Sequence, residues 1–157
     1  MADGIDLRQF AGHFATGVMV VTTKDQDDSY YGLTMNAVSC VCLDPPTFLI
    51  CIDKTANSLA PLMKSRVFAL NILAQGQSDI SHIFATKGED KFAKVKTHAG
   101  ALGTPLIDGA LASAEFRVTE TFTAGDHFIV LGEAHRAETT EHEPLLYYQG
   151  KYGGFSA

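Results

Sequence analysis

The chain has 157 residues, of which 46% are hydrophobic and 19% are charged. This size and composition predict one globular domain spanning residues 1–157 and exclude wholesale disorder. Twelve basic and eighteen acidic residues give a net charge of -6, which argues against a nucleic-acid partner because such binding depends on clustered cations. No apolar run approaches the roughly 20 residues that span a bilayer, so we expect no membrane partner.

The N-terminus and the cysteines both favour a cytoplasmic location. Residues 1–6 carry two acids and no apolar core, so they do not resemble a secretory signal. Cys40, Cys42 and Cys51 form neither a CxxC pair nor an even set, which predicts reduced thiols in or beside a core. The six histidines are scattered without ligand spacing, so we expect no metal site.

The first half of the chain reads as one helix followed by strands. Apolar residues at i, i+3, i+4 and i+7 predict an amphipathic helix that is capped by Asp6 and stopped by Gly17; they are Leu7, Phe10, Ala11 and Phe14. Segments 18–23 and 30–34 flank a polar turn and predict a hairpin. Segments 38–43 and 47–52 flank a proline-containing loop at 44–46, which favours two more strands.

The second half alternates short helices with strands. Helices are predicted at 57–63, capped by Asn57, and at 78–86, separated by an apolar strand at 67–73 whose only polar residue is Asn71. The charged segment 87–96 holds Phe92 and Val95 at helical spacing, and 100–109 reads as irregular. Two long strands at 110–121 and 127–137 and a short one at 145–148 precede a glycine-rich tail.

This order of elements predicts the fold class. Six or seven strands are joined mostly by short turns, and they do not alternate with long helices, which argues against a parallel Rossmann sheet. An antiparallel sheet of this size must close or cover its edges. We therefore expect a mainly β protein, an antiparallel Greek-key barrel with short peripheral helices.

Two segments are candidates for function, since the Walker, GxGxxG, GxSxG and HExxH motifs are all missing from the sequence. Segment 32–42 is rich in small and hydroxyl-bearing residues, which let a planar ligand approach the backbone. An ordinary strand with a polar face has the same pattern. The segment Gly125-Asp126-His127 opens a predicted strand and can equally be a simple turn.

A series of motifs in a fixed order carries a family resemblance. The motifs are Gly32-Leu33-Thr34-Met35-Asn36-Ala37 with Ser39, Asp44-Pro45-Pro46, Phe68-Ala69-Leu70-Asn71-Ile72-Leu73, Gln75 with Ser81 and Phe84-Ala85, Gly103-Thr104-Pro105-Leu106, Gly125-Asp126-His127 with Gly132-Glu133, and Pro144-Leu145-Leu146-Tyr147 with Gly150 and Tyr152. Together they cover about residues 7–153 and resemble the flavin reductase-like, FMN-binding split-barrel family. The resemblance is strongest to the small reductase components of two-component flavin-dependent monooxygenases.

The resemblance implies a fold, a reaction and partners. It implies a Greek-key split barrel that forms a homodimer and binds flavin near the subunit interface. In the implied reaction, NADH or NADPH reduces FMN or FAD by hydride transfer, and the reduced flavin diffuses to a separate monooxygenase. Relatives of other function include flavoredoxin-like electron carriers without a dedicated nicotinamide site, cobalamin-reducing flavoproteins and heme-associated proteins. A heme would need an axial ligand in an apolar pocket, and no histidine lies in a clearly apolar stretch. A flavin-binding or storage module without a nicotinamide site is the non-enzymatic alternative.

The resemblance also implies site residues. Those expected along the isoalloxazine ring are Thr34, Met35, Asn36, Ala37 and Ser39. Those expected along the ribityl chain and phosphate are Cys51, Asp53, Lys54, Asn57 and Ser58, where Lys54 supplies a cation and the helix from Asn57 supplies N–H donors. Ser81, Phe84 and Lys91 are expected to close over the flavin tail. His127 is expected to bind and orient the nicotinamide, and Tyr152 to cover it.

Overall fold

The computed structural model describes residues 6–88 and 90–157. Most of the N-terminal segment examined for a secretory signal (1–5) and Glu89 of the charged segment 87–96 lie outside the described residues. The elements in chain order are α1 (Leu7–Gly12), β1 (Thr16–Gly17), β2 (Met19–Lys24), β3 (Tyr30–Met35), β4 (Val38–Leu43), β5 (Pro46–Asp53), α2 (Leu59–Ser65), β6 (Val67–Ile72), α3 (Ser78–Ala85), a 3₁₀ helix (Lys91–Lys94), β7 (Thr97–Ala99), β8 (Pro105–Ile107), β9 (Ala112–Ala124), β10 (His127–Thr139), β11 (Leu146–Tyr148) and β12 (Lys151–Gly153). Among the described helices, none has the length and apolar character needed to cross a bilayer.

Seven strands form one antiparallel sheet with the order β3-β2-β6-β9-β10-β5-β4. The edge strands β3 and β4 are neighbours in the chain, separated only by Asn36 and Ala37. Three Cα–Cα steps span at most about 11 Å, so the two edges of the sheet must approach each other at this corner. The sheet therefore curls on itself, which confirms the predicted antiparallel barrel.

The barrel interior is a closely packed apolar core. It contains nine buried side chains from five strands and α2: Val21, Ile50, Ile52, Leu62, Phe68, Leu70, Phe116, Val118 and Val130. The rings of Phe68 and Phe116 stack with centroids 5.0 Å apart. A Cβ atom at Gly132 would lie 2.7 Å from the Phe68 ring, so β10 needs glycine at this point to pass the aromatic pair.

A second apolar cluster lies outside the barrel and fixes α3. Its buried members are Val18, Val20, Leu73, Phe84, Val95, Ile107 and Leu145, with Ile80 and Ile83 of α3 packed against them. The small sheet β1-β11-β12 also contributes through Tyr147 and Tyr152. The apolar side chains of α3 thus form the face that packs against this cluster.

The segment 100–109 is not irregular throughout, because β8 within it pairs with β7 as a hairpin. Buried polar side chains hold this hairpin on the outer face of the sheet. Asn71 accepts from the backbone N–H of Ile107 at 2.9 Å, and Glu115 accepts from the N–H of Leu102 at 2.9 Å and the Thr104 hydroxyl at 2.7 Å. Turn residues and one short strand hid this pairing from the sequence pattern.

Three other local expectations are corrected or refined. The side chain of Asp6 accepts from Gln9 N at 3.0 Å, which confirms the cap of α1, but the helix ends at Gly12 and does not run on to Gly17. Helix α2 begins at Leu59 after Ser58, so Asn57 is not its cap. The glycine-rich tail contains β12, which pairs with β11.

Candidate functional site

The main candidate site is a cavity of about 420 Å³ at one end of the barrel. Its lining comes from β3 (30–34), from the loop after β5 (Asp53 and 55–58), and from the end of α3 with the segment that follows (84–88 and 90–92). Six of the residues expected to bind flavin line it together: Thr34, Asp53, Asn57, Ser58, Phe84 and Lys91. A volume of this size is typical of small-molecule sites.

One wall of the cavity is aromatic. The rings of Phe84 and Phe92 meet edge to face with centroids 5.1 Å apart, and Tyr30 meets Phe92 at 5.6 Å. A Cβ atom at Gly32 would lie 2.7 Å from Phe84 Cε1. The missing side chain therefore lets α3 approach β3 closely and sets the position of the Phe84 ring.

Lys91 places an ammonium group between α3 and β3. Its Nζ donates to the carbonyl oxygens of Phe84 at 3.2 Å and Gly32 at 3.3 Å, and it lies 5.9 Å from the centroid of the Phe84 ring. Burial lowers the pKa of Lys91 below its ordinary value. A partly desolvated cation is attracted strongly to an anion that enters the cavity.

The loop after β5 is held by a tight turn at Asp53. Its Oδ1 accepts from Thr55 N at 2.6 Å and from the Thr55 hydroxyl at 2.7 Å. The hydrogen bond from the Thr55 side chain is the largest cause that holds the pKa of Asp53 below its ordinary value. Asp53 is therefore an ionised group, and it fixes the loop that carries Asn57 and Ser58.

His127 lies beside Asp53, because β10 and β5 are paired in register at these two residues. His127 Nδ1 is 2.7 Å from Asp126 Oδ1, and this hydrogen bond holds the pKa of Asp126 below its ordinary value. Since the ionised carboxylate only accepts, Nδ1 carries the proton and Nε2 stays available to a ligand. Lys54 fixes the turn by donating from Nζ to Gly125 O at 2.6 Å.

Asp53, Asp126 and His127 bring one ligand atom each within 4.8 Å of one another. Sequence spacing did not reveal this convergence, because it depends on the register between two distant strands. Asp53 also lines the cavity, so the histidine cluster stands at the edge of the same site.

Comparison with known proteins now identifies the family. A family model described as "Flavin reductase like domain" matches residues 11–156. The chain belongs to the flavin reductase-like family. It is 39% identical over 153 residues to the reductase component of a 4-nitrophenol 4-monooxygenase/4-nitrocatechol 2-monooxygenase of Rhodococcus opacus, with 98% of this chain and 82% of that protein covered.

Solved structures agree with the family assignment. The NADH:FAD oxidoreductase SgcE6 of Streptomyces globisporus C-1027, solved in complex with NAD and FAD fragments, superposes with a TM-score of 0.92 and 35% identity over 98% of this chain and 93% of that one. A protein of Sinorhizobium meliloti 1021 gives a TM-score of 0.92 and 36% identity over 97% of this chain. That relative is longer, and this chain spans 53% of it.

Other residues expected from the family pattern lie outside the cavity lining. Met35 is half-buried, while Asn36, Ala37 and Ser39 are exposed along the β3–β4 corner. The Asn36 side chain donates to the Thr16 hydroxyl at 3.1 Å, and Cys51 N donates to Ala37 O at 2.9 Å. These contacts fix the β3–β4 corner, which follows directly after Thr34 in the chain.

Ser81 and Tyr152 contact each other. Ser81 is fully buried, and its hydroxyl lies 2.8 Å from the Tyr152 hydroxyl. The carbonyl of Ser81 accepts from the Thr34 hydroxyl at 2.7 Å. Hydrogen bonds therefore link β12 to α3 and α3 to β3 behind the cavity wall.

Sequence reasoning missed several residues of the cavity, notably Tyr30, Thr55, Lys87 and Phe92. The charge run at 87–96 and the apolar Phe92 within it were visible signals. Their convergence on β3 was not, because it depends on how the 3₁₀ helix packs against α3 and β3.

Proposed function

We propose that this protein is an NAD(P)H:flavin oxidoreductase, the reductase component of a two-component flavin-dependent monooxygenase. The observation that carries the proposal is the cavity, which joins an aromatic wall, a half-buried ammonium group and the polar side chains Thr34, Asn57 and Ser58. These groups match a ligand with a planar ring, a hydroxylated chain and an anionic end. Membership of the family supports the same reading.

The cavity fits a flavin in its size and in the kinds of side chain that line it. Flavin supplies the redox chemistry when bound, by accepting a hydride from the reduced nicotinamide. The half-buried Phe92 offers an apolar surface to the ring, with the buried Phe84 packed behind it, and Lys91 offers its ammonium group to the phosphate. The β3–β4 corner with Met35, Asn36, Ala37 and Ser39 is proposed to meet the edge of the flavin ring. Cys51 is proposed to support this corner and Lys54 the turn at Gly125.

His127 is proposed to bind and orient the nicotinamide nucleotide. Asp126 fixes the ring tautomer through Nδ1, which leaves Nε2 to meet a polar group of the ligand. Hydride transfer needs no general base, so the contribution of His127 is proximity and orientation. Ser81 and Tyr152 act behind the wall by holding α3 in place.

We propose a homodimer, because the apolar face of α1 is exposed. Leu7 and Phe10 of α1 and Phe14 just after it are 67%, 74% and 75% exposed, which is unusual for three large apolar side chains so close together in the chain. A second copy of the chain is the proposed cover. Light scattering on the native protein should give twice the chain mass, and Phe10→Ser should shift the equilibrium toward the monomer.

The partner of the reaction is proposed to be a separate monooxygenase that receives free reduced flavin by diffusion in the cytoplasm. The three unpaired cysteines are compatible with that compartment. A steady-state assay tests the function: a catalytic amount of protein should oxidise NADH only when FMN or FAD is added. Flavin binding without NADH oxidation would overturn the reductase and leave an electron carrier.

A further inference from the structure

Lys54 lies between the candidate flavin cavity and the β9–β10 turn. Its chain neighbours Asp53 and Thr55 both line the cavity, whereas Lys54 is exposed and is not among the lining residues. Its ammonium group instead reaches the turn, where Nζ donates to Gly125 O at 2.6 Å. The lysine at the position expected to supply a cation to the flavin phosphate therefore contacts the segment that carries His127.

The contacts of Lys54 fall on both sides of His127 in the chain. Before it, the backbone N–H of Lys54 donates to Asp126 O at 3.0 Å, and Nζ donates to Gly125 O. After it, Nζ lies 5.5 Å from the centroid of the Phe128 ring, a distance at which a cation is attracted to an aromatic face. Phe128 is half-buried and packs against the barrel core, so Lys54 ties the turn to the rigid part of the barrel.

The turn that Lys54 contacts is short and begins with glycine. Only Gly125 and Asp126 separate β9 from β10, and Gly125 has a φ of +58°. Glycine has more conformational freedom than any other residue, so a hydrogen bond from outside the turn restricts the orientation of its peptide groups. His127 is the first residue after the turn, and its ring position depends on the backbone geometry that is set there.

We infer that Lys54 is a positioning residue for the nicotinamide nucleotide and acts through His127. The inference rests on the proposed function, since it concerns the nicotinamide site assigned there to His127. By holding Gly125 and Asp126, Lys54 keeps Nε2 of His127 in a fixed place before the ligand arrives. A group that is already in place loses less conformational entropy when the ligand binds, so the contacts of Lys54 strengthen nicotinamide binding without touching the nucleotide.

Lys54→Met in the full chain tests the inference, because it keeps an unbranched side chain and removes the ammonium group. The KM for NADH at saturating flavin should rise by about threefold to tenfold, while the flavin dissociation constant stays within about twofold of the wild type. Lys54→Arg keeps a charged N–H donor and should restore most of the lost affinity for NADH. The exposed Lys96 supplies the control, since Lys96→Met removes the same charge elsewhere and should leave both constants unchanged.

A double-mutant cycle shows whether Lys54 acts through His127. In the His127→Ala background, Lys54→Met should raise the KM for NADH by less than about twofold, because the group that Lys54 positions is already missing. An effect of the same size in both backgrounds would overturn the inference. Weaker flavin binding in Lys54→Met with an unchanged KM for NADH would also overturn it and assign the lysine to the flavin phosphate. A wild-type protein that binds flavin but does not oxidise NADH would instead overturn the proposed function.

Discussion

The hydroxyl of Tyr152 lies 2.8 Å from the hydroxyl of Ser81 and joins the C-terminal strand to the helix behind the candidate flavin cavity. Ser81 in turn accepts from Thr34 on β3. The last strand of the chain thus holds the wall that carries Phe84, although it does not line the cavity. We therefore propose Tyr152 as a positioning residue for the candidate flavin site.

Tyr152→Phe should weaken flavin binding a few-fold. The ring contacts with Tyr147 and His82 remain, so only the hydrogen bond is lost, at a cost of about 1 kcal/mol in the free energy of unfolding. Turnover at saturating flavin should be unchanged, because no reacting group is altered. Flavin titration and denaturant unfolding measure both effects. Tyr148→Phe on the exposed neighbour is the control, and equal effects in both variants would exclude the positioning role.

Gly32→Ala should disturb the aromatic wall. The new methyl group would lie 2.7 Å from Phe84 Cε1, which forces the ring or α3 to move at a cost of about 1–3 kcal/mol. Flavin affinity should fall by more than that of Tyr152→Phe. Gly12→Ala has nothing within 4 Å of the added atom and should leave flavin affinity unchanged. An unaltered flavin affinity in Gly32→Ala would show that the ring position does not matter.

His127→Ala should separate nicotinamide binding from flavin binding. The KM for NADH should rise by about tenfold or more, which corresponds to the loss of one good polar contact, while the flavin dissociation constant stays near the wild-type value. Steady-state kinetics and flavin titration give the two numbers. His135→Ala removes an exposed histidine further along the same strand and serves as the control. An unchanged KM for NADH would refute the assignment.

The same substitution should change the titration of Asp126. In the native protein the hydrogen bond from His127 lowers the pKa of this carboxyl group, so its stabilising effect is present above the ordinary carboxyl pKa and is lost as the pH falls through the lowered value. In His127→Ala the pKa of Asp126 should rise toward the ordinary value of about 4. Carboxyl ¹³C NMR titration measures it directly. An Asp126 pKa that is the same in both proteins would contradict the hydrogen bond.

Asn71→Leu should release the β7–β8 hairpin. The fully buried Asn71 accepts from Ile107 N and the Ser113 hydroxyl, and it donates to Val20 O and the Thr22 hydroxyl. Leaving such partners unsatisfied costs about 1–3 kcal/mol each, so we expect a loss of at least about 3 kcal/mol. Faster amide exchange at Ile107 than at Ile50 in the barrel core would locate the effect. Uniformly faster exchange would argue against a local role.

The sequence predicted the barrel well because its strands are bounded by strong local signals. The proline loop at 44–46 and the polar turn at 25–29 separate apolar runs, and the structure has antiparallel pairs at both places. The sequence did not predict the hairpin β7–β8, because hydrogen bonds to the distant residues Asn71 and Glu115 hold it in place. Local strand propensity does not indicate such long-range bonds.

The sequence could indicate only in part which residues lie together in the candidate site. Family motifs placed Thr34, Asn57, Phe84 and Lys91 in one site, and the structure brings these four to one cavity. The pairing of His127 with Asp53 and the approach of Phe92 to β3 depend on strand register and helix packing, which a linear pattern does not contain. The exposed face of α1 shows the converse, since amphipathic spacing predicts an apolar face but not what covers it.

The reductase activity is tested most directly by anaerobic rapid mixing of the protein and excess flavin with NADH and with C4-deuterated NADH. Flavin should bleach in equal amount to the NADH consumed, over many turnovers per protein, and deuterium should slow the bleaching. Bound flavin that stays oxidised in the presence of NADH would contradict the reductase activity.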